Sequence, residues 1–215
     1  MAFYFPEGSA FYFSTTLASP KTISALTNAN PAAATSTSHG YSDNDEVLLT
    51  SGWEDATNTV YRVNQTDANT FELLGLNSTN TTFYASGAGV GTAEKLSSWT
   101  SIPQLLTIAT QGGDPRFTTV QLLASRNAIN VPTGFNAYSL TLTLAHDPSA
   151  ANWLTMLNIS RTLTKCAMKI ALGGGGTIYG YGYMACSEMP AMNVNQVNQV
   201  TAAVTFLGRP ISYST

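Results

Sequence analysis

Residues 138–148 read Tyr-Ser-Leu-Thr-Leu-Thr-Leu-Ala-His-Asp-Pro, and the period of that run decides the fold. Leu140, Leu142 and Leu144 alternate with Thr141 and Thr143. A period of two puts one set of side chains in a core and the other against water or a polar contact, as in a half-buried strand. Just downstream the period changes. Ala150, Trp153, Leu154 and Leu157 fall at i, i+3, i+4 and i+7, a single apolar stripe for one short helix lying on a sheet. Asp147 is the expected N-cap of that helix, with Pro148 at its first position, where a missing amide hydrogen costs nothing.

Strand signals continue on both sides. Cys166, Met168, Ile170 and Leu172 face one way and Lys165 and Lys169 the other, and Gly173–Gly176 supplies the turn of a hairpin. On the return strand Tyr179, Tyr181 and Tyr183 form a stripe with Gly180 and Gly182 opposite, and Val200–Leu207 is the last strand expected. Upstream, strands are expected over Phe11–Leu17 and Ile102–Thr110. The turn cluster Gln111-Gly-Gly-Asp-Pro115 follows, then a further strand over Phe117–Leu123. The fold class is therefore all-β with one short α-helix.

Residues 22–92 have a different character. Thr22–Leu26, Glu46–Thr50, Thr59–Val63 and Thr70–Leu74 are short strands separated by Asn, Asp, Gly and Pro turns, the spacing of a small barrel or sandwich. This stretch holds seven acids and one base, Arg62, whereas residues 100–215 hold three acids and six bases. The asymmetry marks two modules with different surroundings: residues 1–21 and 93–215 as one domain, and 22–92 as a module inserted into it.

Composition narrows the function. Charged residues are 10% of the chain, against roughly 25% in an average soluble domain. A surface so poor in charge is weakly protected against association, which fits one largely covered by neighbouring subunits. The net charge of −3 carries no basic signature for tight nucleic-acid binding. His39 and His146 are the two histidines, and no Gly-x-Ser-x-Gly elbow presents a nucleophile to either. Cys166 and Cys186 read as reduced core thiols, and with no histidine nearby they supply no metal site. Asp43, Asp45 and Glu46 lack the spacing of a calcium loop. No catalytic residue, metal or cofactor is expected. The start of the chain, Met-Ala-Phe-Tyr-Phe-Pro-Glu, has no basic segment and reads as no signal peptide, and no run of about 18 apolar residues spans a bilayer.

Several stretches, in order, resemble the tail tube proteins of long-tailed bacteriophages. They are Trp99-Thr-Ser-Ile-Pro-Gln104, Thr110-Gln-Gly-Gly113, Phe117-Thr-Thr-Val-Gln121, Asn130-Val-Pro-Thr133, the run 140–148, Glu188-Met-Pro190 and Phe206-Leu-Gly-Arg-Pro210. Residues 22–92 resemble a small β-barrel inserted in several phage structural proteins, through Ala29-Asn-Pro31, Ser38-His-Gly40, Asp45-Glu-Val47, Tyr61-Arg-Val63 and Asp67-Ala-Asn-Thr-Phe-Glu-Leu73. The resemblance implies a tail-tube sandwich or barrel carrying an outward-facing inserted barrel, in a virion protein made in the host bacterial cytoplasm. It implies hexameric rings that stack into a non-contractile tail tube, enclose the tape-measure protein, meet tail tip and tail terminator proteins, and pass DNA without gripping it. The loop at Ser125-Arg-Asn127 departs from the pattern by lacking an acidic run.

Within that reading Gln111–Pro132, which has no self-contained apolar pattern, is expected to be a hairpin or extended loop touching neighbouring subunits and rings. Its contact candidates are Gln111, Gly112, Gly113, Asp114, Arg116, Phe117, Thr118, Thr119, Gln121, Arg126, Asn130 and Pro132. The alternative from the residues alone is a capsid decoration or adhesin-like binding module.

Overall fold

A computed structural model describes residues 7–214. The first six residues of the N-terminal stretch read above as no signal peptide lie outside them. In chain order the strands are β1 (Ala10–Ser14), β2 (Lys21–Ile23), β3 (Ala25–Leu26), β4 (Ala32–Thr35), β5 (Glu46–Ser51), β6 (Thr59–Gln65), β7 (Thr70–Leu74), β8 (Gly91–Lys95) and β9 (Thr100–Ile102). They continue as β10 (Leu105–Gln111), β11 (Pro115–Val120), β12 (Ile129–Phe135) and β13 (Ser139–Ala145). The helix α1 (Ala151–Thr162) precedes β14 (Lys165–Ala171), β15 (Thr177–Cys186), β16 (Gln199–Phe206) and β17 (Ile211–Tyr213). The fold is mostly β with one short helix, as the alternation at 138–148 predicts.

The first sheet runs β10-β13-β16-β15-β14-β1-β9, with β17 beside β15, and every pairing is antiparallel. Leu140, Leu142 and Leu144 point into its core with Phe11, Phe13, Met168, Ile170, Val204 and Phe206. Core-facing Gly180 sits where a side chain would overlap the Phe206 ring. Glycine there lets a bulky aromatic cross the strand at close range. Expected Ile102–Thr110 is two strands, because Pro103 and Gln104 turn the chain between β9 and β10.

The helix corrects two expectations. Asp147 does not cap it and Pro148 is not its first residue; the N-cap is Ala150, without a side-chain hydrogen bond. The Asp147 carboxylate is instead used locally, accepting from the Ser149 amide at 3.0 Å and hydroxyl at 2.7 Å. Those bonds hold its pKa below the ordinary value and make an Asx turn that delays the helix by three residues. The buried stripe differs from the expected one. Trp153, Met156 and Ile159 are buried, whereas Leu154 faces solvent. Leu163 closes the helix in the left-handed region, with the Thr164 amide returning to the Ile159 carbonyl at 3.1 Å.

The second sheet runs β2-β8-β5-β6-β7-β4-β3. Only Ser24 separates β2 from β3, and its amide donates to the Thr35 carbonyl at 2.9 Å, so the path returns on itself and the sheet closes almost completely into a small barrel. Its interior is filled by Val47, Leu49, Trp53, Tyr61, Val63, Phe71 and Leu73 among others. His39, one of the two histidines, is buried there. Its Nδ1 accepts the Tyr41 amide at 2.9 Å, so Nε2 must carry the proton that reaches the Asp67 carbonyl, also at 2.9 Å.

Two outcomes test this packing. Leu142→Ala should lower the unfolding free energy of the unassembled protein by about 3 kcal/mol in chemical denaturation. The second outcome concerns Tyr41, whose hydroxyl donates to the Ala93 carbonyl at 2.7 Å and whose pKa burial pushes up to about 12, with Glu94 and Asp45 adding to the shift. A raised pKa means the stability it contributes is complete below the unfolded value of about 10 and is lost as pH climbs toward 12. Tyr41→Phe should be less stable at neutral pH, yet lose stability less steeply above about pH 10, read as denaturation midpoint against pH.

Candidate assembly interface

Between β10 and β13 the chain leaves the sheet and returns as an arm. Among the described residues β11 and β12 pair only with each other, and all six residues of β11 are exposed. Gly112 and Gly113, at φ of 88° and 77°, form its root, packed so closely on Ala137 and Tyr138 that a side chain would collide. Arg116, Phe117, Thr118 and Thr119 lie on β11, facing Asn130 and Pro132 of β12 in the register Phe117↔Pro132 and Thr119↔Asn130. The Thr119 hydroxyl bonds the Asn130 side chain at 2.8 Å, and a bulge between Arg116 and Phe117 bends the ribbon. Gln121 and Arg126 sit in the tip, where Gln121 Nε2 donates to the Ser125 carbonyl at 2.6 Å. Gln111 ends β10 and Asp114 precedes the arm's first strand. The structure thus gathers the twelve candidates on the arm and its root, while Asp147 and Pro148 lie apart in the turn before α1.

The arm also exposes Leu122, Leu123, Ile129, Val131 and Phe135, which the sequence reading did not single out. Ile129 and Val131 alternate along β12 while Leu122 and Leu123 lie in the tip, and among the described residues no third strand covers the ribbon. A two-stranded ribbon is marginal in water, so this one needs a cover. A second unread apolar segment is the loop after β15, where Met189, Met192, Val194 and Val197 are exposed.

The edges of the first sheet are open as well. Among the described residues β10 bonds to β13 alone and β9 to β1 alone. Beside β10 lies a groove of about 620 Å³ lined by Leu105, Leu106, Ile108, Ile170, Leu172 and Ile178. Leu172, expected to face the core with Ile170, is 42% exposed at the groove's rim because the chain enters the glycine turn there. Near the start of β10, α1 closes the gap, its Asn152 amide donating to the Gln104 side chain at 2.7 Å.

The barrel is clamped to the back of this sheet. Tyr179 and Tyr181, on the face opposite the core, pack with Ala167 against Leu48 and Val60 of the barrel. At the centre sits Glu46, which accepts from Trp99 Nε1, from Lys169 Nζ at 3.1 Å and from the Tyr179 hydroxyl at 2.5 Å. Arg62 lies 4.8 Å from the Tyr213 ring centre, and its amide donates to the Tyr213 hydroxyl at 3.0 Å. Burial raises the Tyr179 pKa, and the Glu46 carboxylate beside it adds to that shift.

Burial pushes the Cys166 thiol up to about 12 and Cys186 to about 11, so both stay protonated at neutral pH and are poor nucleophiles and ligands. Among the described residues no group of three or more His, Cys, Asp or Glu is placed to hold a metal ion. No helix among them is long and apolar enough to cross a membrane.

The family model described as "Phage tail tube protein, TTP" matches residues 51–215, and the chain belongs to that family. It is a structural component of a phage tail. Among solved structures, a chain of the SPP1 tail tube is 12% identical, covering 55% of this chain and 69% of that one with a TM-score of 0.43. A chain from the anti-feeding prophage baseplate is 9% identical, covering 55% and 86% with a TM-score of 0.39. No curated protein sequence matches.

The clamp makes a specific demand. The Glu46 and Lys169 side chains are 15% and 20% exposed, so Glu46→Leu leaves a largely buried ammonium without its partner. It should lower stability by about 3 kcal/mol, whereas Glu46→Leu with Lys169→Met should recover most of the loss. Thermal unfolding of the single and double variants reads the difference.

Proposed function

We propose that six copies of this tail tube protein close a ring in which the first sheet of each joins its neighbours', and that the rings stack into the hollow tube of a non-contractile tail. The observation that carries this reading is the arm, a ribbon with bare apolar side chains and no third strand. Open edges at β10 and β9 support it, because an unpaired edge is a template for another strand. Ring joining would use those edges up, and stacking through the arm would be heterologous, so the assembly grows along one axis.

In the same reading the tube encloses the tape-measure protein during assembly, meets tail tip and tail terminator proteins at its ends, and then conducts DNA. A low-charge lumen would let DNA slide without the salt-dependent hold that Lys and Arg exert on phosphates. The module at residues 22–92 faces outward, since a filled barrel in the lumen would block the channel.

The test is negative-stain electron microscopy of the purified protein, concentrated alone and seeded with tail tip complexes. Hollow filaments with six-fold ends are expected. Phe117→Asp with Val131→Asp should leave the stability of the single chain within about 0.5 kcal/mol, because both positions are exposed, yet abolish filaments. Normal filaments from that variant, or a wild-type protein that stays monomeric even when seeded, would contradict the reading.

A further inference from the structure

At the root of the arm, between the barrel and β12–β13, lies an open cleft of about 690 Å³. Phe135 and Phe83 stand on its walls, 56% and 66% exposed, and Glu54 and Asp55 line it from the barrel side. It already holds one guanidinium in a characteristic way. Arg209 reaches Asp55 at 3.6 Å and lies 5.4 Å from the Phe135 ring centre, between a carboxylate and a phenyl face. Glu54 is exposed and forms no ion pair among the described residues.

The arm tip is the chemical complement of that cleft. Arg126 is its single charge and also lacks an ion pair among the described residues, and Leu122 and Leu123 beside it are bare. The tip cannot reach its own cleft. β11 and β12 stay paired from Pro115↔Phe135 to Val120↔Ile129, which at about 3.3 Å per residue carries the tip roughly 20 Å from the root. Phe135 is part of both the root and the cleft, so that separation is built into the ribbon.

We infer that the cleft is the receptor for the arm tip of a second copy of this chain, with Arg126 paired to Glu54 and Leu122 and Leu123 set against Phe83 and Phe135. The inference rests on the tube reading for its setting and names the surface that receives the arm. The match is one of charge and of apolar area, because an acidic, aromatic-walled notch meets a basic tip with two leucines. Tip and cleft are different surfaces of one chain, so each copy gives one and accepts one, and the contact propagates.

Leu123→Cys and Phe83→Cys, alone and together, test it directly with a short bis-maleimide, since neither side chain belongs to the core. Only the double variant should give a ladder of dimers, trimers and larger species on a denaturing gel. In parallel, Arg126→Glu or Glu54→Arg should raise the concentration needed for assembly about tenfold, and combining them should restore it. Filaments that form normally while the double cysteine variant gives no ladder overturn the docking and leave the tube reading standing. A ladder without filaments supports the docking and counts against the tube. Charge reversals that are additive, with no rescue, also overturn the pairing.

Discussion

Among the described residues no strand pairs with the outer edge of β10, and the two strands that follow leave the sheet altogether. A sheet of this curvature satisfies such groups by closing, as the barrel does through the short β2–β3 corner at Ser24. The first sheet stops short. Its last strands on either side, β10 and β9, each have one neighbour, and the gap beside β10 is a groove lined by leucine and isoleucine. Unpaired amides and uncovered aliphatic area lie side by side, and the remainder of the structure is arranged around that incompleteness. α1 covers one part of the gap, and the arm hangs from the strand at its edge.

What keeps the rest rigid is the alternation along β15. Its odd residues, Tyr179 and Tyr181, project toward the barrel, while its even residues, Gly180 and Gly182, leave room for Phe206 and the neighbouring backbone. One strand thereby serves two cores. Glu46 then orients the junction by taking three donors from the sheet side, Trp99, Lys169 and Tyr179. A buried carboxylate of that kind adds little net stability, but it tolerates few other arrangements of the two bodies. These contacts fix the barrel to the back of the sheet.

Much of this was legible in residues 138–148 and in the tyrosine and glycine alternation of 177–186, because period two is written directly in those side chains. The hairpin turn at Gly173–Gly176 was legible from its run of four glycines. Less visible were elements whose reason lies elsewhere in the chain. β4 (Ala32–Thr35) and β8 (Gly91–Lys95) are small and polar in sequence and become strands by completing the barrel ladder. Asp147 carries a sound capping signal, and the Ser149 hydroxyl captured it first. Within the candidate interface the polar residues of the arm were readable as lacking a core. Its bare hydrophobic residues were not, since a strand is expected over Phe117–Leu123 whereas β11 ends at Val120 and leaves Leu122 and Leu123 in the tip. Cleft residues Glu54 and Phe83 come together only through the fold of the barrel.

Electron cryomicroscopy of filaments assembled from the full chain, at a resolution that traces strands, addresses the central claim most directly. The account predicts a hollow six-fold tube in which β10 is hydrogen-bonded to a strand of the adjacent copy and the arm is covered on its apolar sides. A particle in which β10 keeps β13 as its single neighbour and the arm projects into solvent would contradict it.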